Sequence, residues 1–177
     1  MNRFADYFSN YVNDDTITYI GNGDITSFTV SRQERELAVG LNLESFIDYG
    51  IVENAQNQIA RAMELKKVHI NPRFPKCEFS LDNIERILEY VRHESPAANG
   101  FFDGCEAELE DRTLTICLKK GGKNVLESQK VDRAIANKIY ELFDLDFVVI
   151  FLEVQAFDIE KAVQKAVEER RAEEQHK

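Results

Sequence analysis

The residues with the clearest chemical potential form one short basic stretch, Lys119-Lys120-Gly121-Gly122-Lys123. Two adjacent glycines ahead of a helix expose backbone N–H groups, and nearby lysines add the positive charge that a phosphate group prefers. The alternative is a strand-to-helix turn in which glycine supplies backbone angles that other residues rarely adopt, with the lysines in solvent. We favour the turn and keep the phosphate contact as the competing hypothesis.

The helix expected after this loop could extend its positive charge, since it carries Lys130, Arg133 and Lys138. KH-type modules hold nucleic acid with a GxxG loop, and basic residues beside such a loop assist them. The stretch lacks the GxxG spacing, and Glu127 and Asp132 are interspersed with the basic residues. A helix surface of mixed charge is therefore the favoured interpretation.

A loop upstream carries two adjacent aromatic residues, Phe101 and Phe102, directly after Gly100. If both side chains were exposed, the pair would be a partner-binding anchor, because aromatic residues often dominate protein–protein contacts. More often such a pair fills the core from a loop, and this is the interpretation that we favour.

Other kinds of functional site find no support in the sequence. The histidines lack metal-site spacing, no serine lies in a GxSxG turn, and neither a P-loop nor a dinucleotide fingerprint occurs. We therefore predict no catalytic residue, no metal, no cofactor and no small-molecule substrate. His69 alternates with Val68 and Ile70 and is expected to face away from them. The three histidines are His69, His93 and His176.

The cysteines, Cys77, Cys105 and Cys117, are odd in number and lack CxxC spacing. Cys117 alternates within an apolar strand pattern and is predicted to be a small buried hydrophobe. A disulfide between Cys105 and Cys117 is conceivable across a hairpin, but reduced thiols in a cytosolic protein are favoured. No apolar run approaches the roughly 20 residues of a membrane-spanning helix. The first residues lack an export-signal pattern, so we expect a cytoplasmic protein without membrane contact.

Charge limits the partners of the chain. The sequence has 177 residues, of which 44% are hydrophobic and 31% charged, values typical of a globular protein. The formal net charge is −10 and is spread along the chain. Such a balance argues against the broad basic field that sequence-independent DNA binding normally requires.

The pattern of apolar residues predicts an α+β fold with two small α/β subdomains, at residues 1–70 and 71–155, and a helical linker or tail at 156–177. Each subdomain is expected to contain a short mixed or antiparallel sheet packed against helices. Pro72 and Pro75 are expected to end the third strand and to form the joint between the subdomains.

In the first subdomain, a helix is predicted at residues 1–12, with one apolar face that contains Phe4, Tyr7, Phe8 and Tyr11. Turns are predicted around 13–15 and 21–24. The remaining elements are strands at 25–31 and 36–43, a helix at 52–64 and a strand at 66–71.

In the second subdomain, Ser80 is predicted to cap a helix that ends near residue 93. A hairpin of strands 105–109 and 113–118 follows. The next helical stretch ends at Phe143, and the very apolar run 147–154 is expected to be a central strand buried on both faces. Residues 157–177 are helical by propensity. The apolar face of the stretch before Phe143 contains Ile135, Ile139, Leu142 and Phe143.

Three sequence segments are characteristic: NPRFP at 71–75, NGFF at 99–102, and LKKGGKNVLESQKVDRAIANKIYELF at 118–143. In their order and spacing, the chain from about residue 66 onward resembles the amino-terminal region of PolC-type DNA polymerase III alpha subunits. Residues 1–65 resemble that region in architecture, as a helix followed by a strand pair and a helix.

The resemblance implies a non-catalytic fragment. In this family the region precedes an oligonucleotide-binding fold, a histidinol-phosphatase-like domain, a 3′–5′ exonuclease and the DNA-directed DNA polymerase domains, and none of these is in the sequence. It implies a protein-interaction module of the replisome in bacterial DNA replication, with replisome proteins such as the clamp-loader tau subunit as partners. The alternative is a KH-like module that contacts single-stranded or primer–template DNA weakly through Lys119–Lys123.

Overall fold

A computed structural model describes residues 2–153. It contains two three-stranded mixed sheets, each packed against helices, so the predicted α+β fold is confirmed. The tail at 156–177, its helix at 157–177 and the last residue of the predicted strand at 147–154 lie outside the described residues.

The first sheet has the order β1-β2-β3. Strands β1 and β2 form an antiparallel hairpin, and β3 returns parallel to β2 after the crossover helix α3. This connection buries the apolar face of α3 on the sheet. The elements are α1 (Phe4–Phe8), α2 (Asp14–Ile20), β1 (Asp24–Ser31), β2 (Glu36–Asn42), α3 (Tyr49–Ala62) and β3 (Lys67–Arg73).

The second sheet repeats this plan, with the order β4-β5-β6, an antiparallel hairpin and a final parallel strand. Its crossover contains two helices, because Lys130 adopts a left-handed φ of 56° and breaks the predicted helical stretch. As predicted, Ser80 caps the helical segment that leads to Arg92. Its hydroxyl accepts a hydrogen bond from the Asp82 N–H at 3.2 Å, in the 3₁₀ turn just before the helix that begins at Ile84. The elements are α4 (Ile84–Arg92), β4 (Glu106–Glu110), β5 (Thr113–Leu118), α5 (Lys123–Ser128), α6 (Val131–Phe143) and β6 (Val148–Glu153).

The amino-terminal segment differs from the prediction, because the helix expected at 1–12 is only the short α1. The turn expected at 13–15 instead begins α2, where the Asn13 side chain accepts a hydrogen bond from the Thr16 N–H at 2.9 Å. Asparagine is a strong N-cap residue, so the NDD cluster starts a helix here. The same residue types also favour turns, which is why the sequence predicts a turn at this position.

The predicted apolar face of the first helix is also only half correct. Phe4 and Phe8 are buried, whereas the Tyr7 and Tyr11 side chains are exposed. A helix of little more than one turn can place only two positions four residues apart against the core. The two tyrosines therefore remain in solvent.

Strand β3 continues through Pro72 to Arg73, so the predicted end of this strand at Pro72 is wrong. Pro72 is tolerated because its missing N–H falls on the edge of β3 that faces away from β2. On that edge the Ile70 N–H donates to the Gln56 side chain at 2.9 Å, and the Phe74 N–H donates to the Leu142 carbonyl at 2.7 Å. The N–H groups on either side of Pro72 along this edge are thus satisfied, and the predicted boundary at residue 70 falls inside a strand.

Among residues 2–153, strand β6 lies at the edge of its sheet, and it is buried on one face only, so the prediction of a central strand buried on both faces is wrong. Val149 and Phe151 point into the core, whereas Val148, Ile150 and Leu152 are exposed. The continuous apolar run concealed this alternation, because both faces of the strand are apolar.

An aromatic cluster joins the two halves. The Phe143 ring at the end of α6 lies 5.7 Å from Phe46, 5.6 Å from Phe74 and 5.6 Å from Phe79, measured between ring centroids. Phe46 lies between β2 and α3, and Phe74 directly follows β3, the last strand of the first sheet; Phe79 precedes α4, and Phe143 ends α6 beside the second sheet. The two sheets therefore share one buried aromatic core.

Candidate functional site

The glycines of the basic loop have a structural role. Gly121 and Gly122 have φ values of 71° and 98°, which is the left-handed region that favours glycine. The Phe101 ring packs directly on Gly122, where an added Cβ would lie 2.2 Å from a ring carbon. Both observations support the interpretation of this loop as a strand-to-helix turn between β5 and α5.

Two of the loop lysines already have carboxylate partners. The Lys119 Nζ lies 2.7 Å from Glu106 Oε1, and the Lys120 Nζ lies 2.8 Å from Asp103 Oδ2. The hydrogen bond and the charge of Lys119 lower the pKa of Glu106, and those of Lys120 lower the pKa of Asp103. Both acids are therefore ionised at neutral pH and offset the charge of these lysines.

The third lysine stands at the start of α5, where the competing hypothesis places a phosphate. Its backbone N–H donates to Glu153 Oε1 at 2.6 Å, and its Nζ lies 3.8 Å from Glu127 Oε1. A carboxylate from β6 thus accepts the hydrogen bond that a phosphate oxygen would accept. The backbone N–H that the competing hypothesis assigns to a phosphate is therefore occupied by a carboxylate of the chain itself.

The downstream basic residues do not extend a positive patch. Lys138 is nearly buried, with 12% of its side chain exposed, and its Nζ lies 2.6 Å from both Glu94 Oε1 and Glu141 Oε2. Burial acts to lower the pKa of Lys138, but the two glutamates outweigh it and leave the pKa raised. Lys130 and Arg133 are exposed on a surface of mixed charge, as expected.

The aromatic pair divides between core and loop. Phe102 is fully buried, and its ring centroid lies 6.1 Å from that of Phe151. Phe101 is half-buried against Gly122. Phe102 therefore fills the core, as the favoured interpretation expected, and is not accessible to a partner, whereas Phe101 only packs against the core from the loop.

A cleft of about 660 Å³ beside β3 has no counterpart in the sequence analysis. Its wall contains His69 from β3, Tyr49 from α3, His93 just after α4, and Lys138 from α6. The rings of Tyr49 and His93 stack with their centroids 3.9 Å apart, and burial raises the pKa of Tyr49. His69 is half-buried and faces away from Val68, as predicted.

This cleft is polar but poorly equipped for catalysis. Lys138 is held as a cation between two carboxylates, so it cannot act as a nucleophile at neutral pH. Within residues 2–153, no group of three or more histidine, cysteine, aspartate or glutamate side chains could hold a metal ion. The sequence did not indicate the cleft because its wall is drawn from six separate elements, β1, β2, β3, α3, α4 and α6.

The cysteines are all free thiols. Cys77 is exposed, and burial raises the pKa of the Cys105 thiol to about 11. Cys117 is half-buried rather than buried, because Leu114, Ile116 and Leu118 take the inward positions of β5. The prediction for Cys117 assigned it to the wrong face of the strand.

Across the described range, none of the helices has the length and apolar character needed to cross a membrane. No protein-family model matches this sequence, and a search of curated proteins also returned no match.

Proposed function

We propose that this chain is a non-catalytic protein-interaction module of a PolC-type replicative DNA polymerase III, acting in the replisome during bacterial DNA replication. The observation that carries the choice of a protein partner is the internal neutralisation of the basic loop. Each of its three lysines lies beside a carboxylate, and the helix N–H at Lys123 is occupied by Glu153.

The electrostatic balance supports a protein rather than DNA. Nucleic-acid binding gains its free energy mainly from cations that neutralise phosphates and release counterions. Here a phosphate would first have to displace the carboxylates of Glu106, Asp103 and Glu153, in a chain of net charge −10. The cost of exposing these acids to a polyanion favours a partner that is not negatively charged.

The three segments that carry the family resemblance all contribute to the buried core. Each supplies one buried aromatic residue: Phe74 from 71–75, Phe102 from 99–102 and Phe143 from 118–143. A chain in which the characteristic residues build the core, and not a reactive site, suits a positioning role within a larger enzyme. This role implies a cytoplasmic location and no activity of its own.

A direct test measures binding of the purified chain to the clamp-loader tau subunit and to the sliding clamp by isothermal titration calorimetry. We expect saturable binding to tau at micromolar concentration, and no polymerase or 3′–5′ exonuclease activity. If neither protein binds at micromolar concentration, the replisome proposal is wrong.

The KH-like alternative is tested by fluorescence anisotropy with single-stranded and primer–template DNA across a range of salt concentrations. All three loop lysines are changed to glutamate in one variant, and Arg32, Arg61 and Lys66 are changed to glutamate in a control of equal charge. We expect weak binding at most, which both variants alter equally. A salt-sensitive affinity that only the loop variant abolishes would favour the DNA-binding alternative.

A further inference from the structure

The second sheet has an outward face on which three kinds of side chain form parallel rows. The pairing of β4 with β5 and of β5 with β6 aligns an acidic row, a small neutral row and an aliphatic row, in that order across the sheet. The inward residues Leu114, Ile116 and Leu118 of β5 and Val149 and Phe151 of β6 are buried, and these nine face the opposite way. We call this surface the striped face; it consists of Glu106, Glu108 and Glu110, Thr113, Thr115 and Cys117, and Val148, Ile150 and Leu152.

The aliphatic row is unusually exposed for branched apolar residues in a strand. Val148, Ile150 and Leu152 have 62%, 41% and 48% of their surface accessible. They stand side by side on an edge strand, and such a contiguous apolar strip marks an interaction surface more often than isolated exposed residues do. In the part of the chain that the structure describes, β6 also has no strand on its outer side.

The acidic row lies at the opposite edge of the same sheet. Glu106 pairs with Lys119, whereas Glu108 and Glu110 have no ion pair among residues 2–153. Charged side chains commonly protect an edge strand from pairing with other chains, and this accounts for β4 alone. It leaves unexplained why β6, the other edge, carries only aliphatic residues on this face.

We propose that the striped face binds an amphipathic helix of a protein partner, with the apolar flank of that helix over β6 and a row of lysine or arginine residues over β4. Adjacent strands lie about 4.8 Å apart, so the acidic and aliphatic rows are separated by about 10 Å. This is close to the diameter of an α-helix with its side chains, about 10–12 Å. One helix therefore spans both rows, and the small residues of β5 let it approach closely.

This inference rests on the proposed function as an interaction module and names the surface and the chemistry of the partner. The charge of the chain, −10, favours a basic helix over a neutral one. The aliphatic row supplies the apolar contact area, and the glutamates set the orientation of the helix across the sheet.

The test uses a synthetic helical peptide of about 14 residues, which as a helix spans about 21 Å and so matches a six-residue strand. Its leucines follow one face, and its lysines follow the adjacent flank. Titrated into the isotope-labelled full chain, it should shift the NMR signals of β4, β5 and β6. A second peptide with glutamates in place of the lysines should cause no shifts at the same concentration.

Two substitutions locate the contact. Val148→Lys and Glu108→Lys should each weaken peptide binding by about tenfold or more, which corresponds to about 1.4 kcal/mol. The matched controls are Val30→Lys on β1, whose side chain is 53% exposed, and Glu34→Lys in an exposed turn. These controls make the same charge changes on the first half and should leave the affinity unchanged. Equal affinities for all four variants, or shifts confined to other elements, would overturn the inference.

Two other occupants of the striped face, another part of the chain and a second copy, can be recognised from the NMR signals of its methyl groups. A soluble paramagnetic probe should broaden the methyl signals of Val148, Ile150 and Leu152 in the full chain at every protein concentration. If these methyls are shielded even at high dilution, the chain covers the face itself. If they become shielded only as concentration rises, a second copy covers it, and either result overturns the inference.

The same variants separate this inference from the proposed function. If tau binds the wild-type chain and the Val148→Lys and Glu108→Lys variants equally well, the striped face is not the docking surface, although the replisome role stands. If the lysine peptide binds the striped face but tau and the sliding clamp do not bind, the surface assignment stands and the replisome role falls.

Discussion

Replacing Phe143 with leucine tests whether the two sheets unfold as one unit. Phe143 is 1% exposed, and its ring contacts Phe46 and Phe74, which flank strands of the first sheet, and Phe79, which precedes α4. Leucine keeps an apolar side chain at this position but removes all three ring–ring contacts. The destabilisation should therefore reach both sheets.

The expected loss follows from these contacts. Aromatic pairs contribute about 0.5–1.5 kcal/mol each beyond their buried area, and truncation of a buried phenylalanine to alanine costs about 3–5 kcal/mol. Leucine retains part of the packing, so we expect Phe143→Leu to lower the free energy of unfolding by about 2 kcal/mol. Against a total stability of about 5–15 kcal/mol, the variant should still fold at 25 °C.

Urea denaturation followed by circular dichroism gives the total free energy, and hydrogen exchange of amides in β2 and β5 reports each sheet separately. Both sheets should lose protection by the same amount. The control is Tyr140→Leu, which removes an aromatic ring from the same helix at a position that is 50% exposed. That change should cost less than about 0.5 kcal/mol. Two separate transitions, or lost protection in only one sheet, would refute the idea of a shared core.

Two further predictions concern the loop and the buried thiol. Gly122→Ala should destabilise the protein more than Gly104→Ala, by about 2 kcal/mol in urea denaturation, because both glycines have positive φ but only Gly122 has the Phe101 ring against it; equal losses would contradict the role of Phe101. Because the pKa of Cys105 is raised to about 11, its contribution to stability is fully present below about pH 9 and is lost as the pH rises through the folded value. Cys105→Ala should therefore remove a decline in the free energy of unfolding of about 2 kcal/mol between these limits, whereas Cys77→Ala, at an exposed site, should leave the decline in place.

Much of the fold was predictable because single elements carry periodic signals. The apolar face of α6 shows this, since Ile135, Ile139, Leu142 and Phe143 are all buried as the spacing indicated. Failures came where a local signal had two meanings. Asn13 favours both turns and helix starts, and the hydrogen-bonding needs of a helix end decided between them.

The edges of the sheets were harder to predict, because an edge is a property of strand order. Proline predicts the end of a strand, but Pro72 lies within β3 because it occupies an outer edge, where no backbone N–H is required. The apolar run around Ile150 predicted a central strand, although only alternate residues are buried. Neither segment contains local information about which strand is its neighbour in the sheet.

The position and backbone geometry of the candidate site were predictable, but the neutralisation of its lysines by carboxylates was not. The backbone geometry at Gly121 and Gly122 follows from local sequence, and the structure has it. The neutralisation of the loop depends on Asp103, Glu106 and Glu153, which arrive from a loop and two different strands. Charge partners so distant along the chain cannot be inferred from spacing.

The shared aromatic core has a consequence for biosynthesis. Phe143 follows Phe74 by about 70 residues, and at about 5–20 residues per second the ribosome supplies it roughly 4–14 s later. During that interval the first sheet can form, but Phe46 and Phe74 lack the Phe143 ring that packs on both of them. The nascent chain therefore exposes part of these two aromatic side chains for several seconds. A ribosome-associated chaperone, or a pause in translation after this point, would change the yield of folded protein.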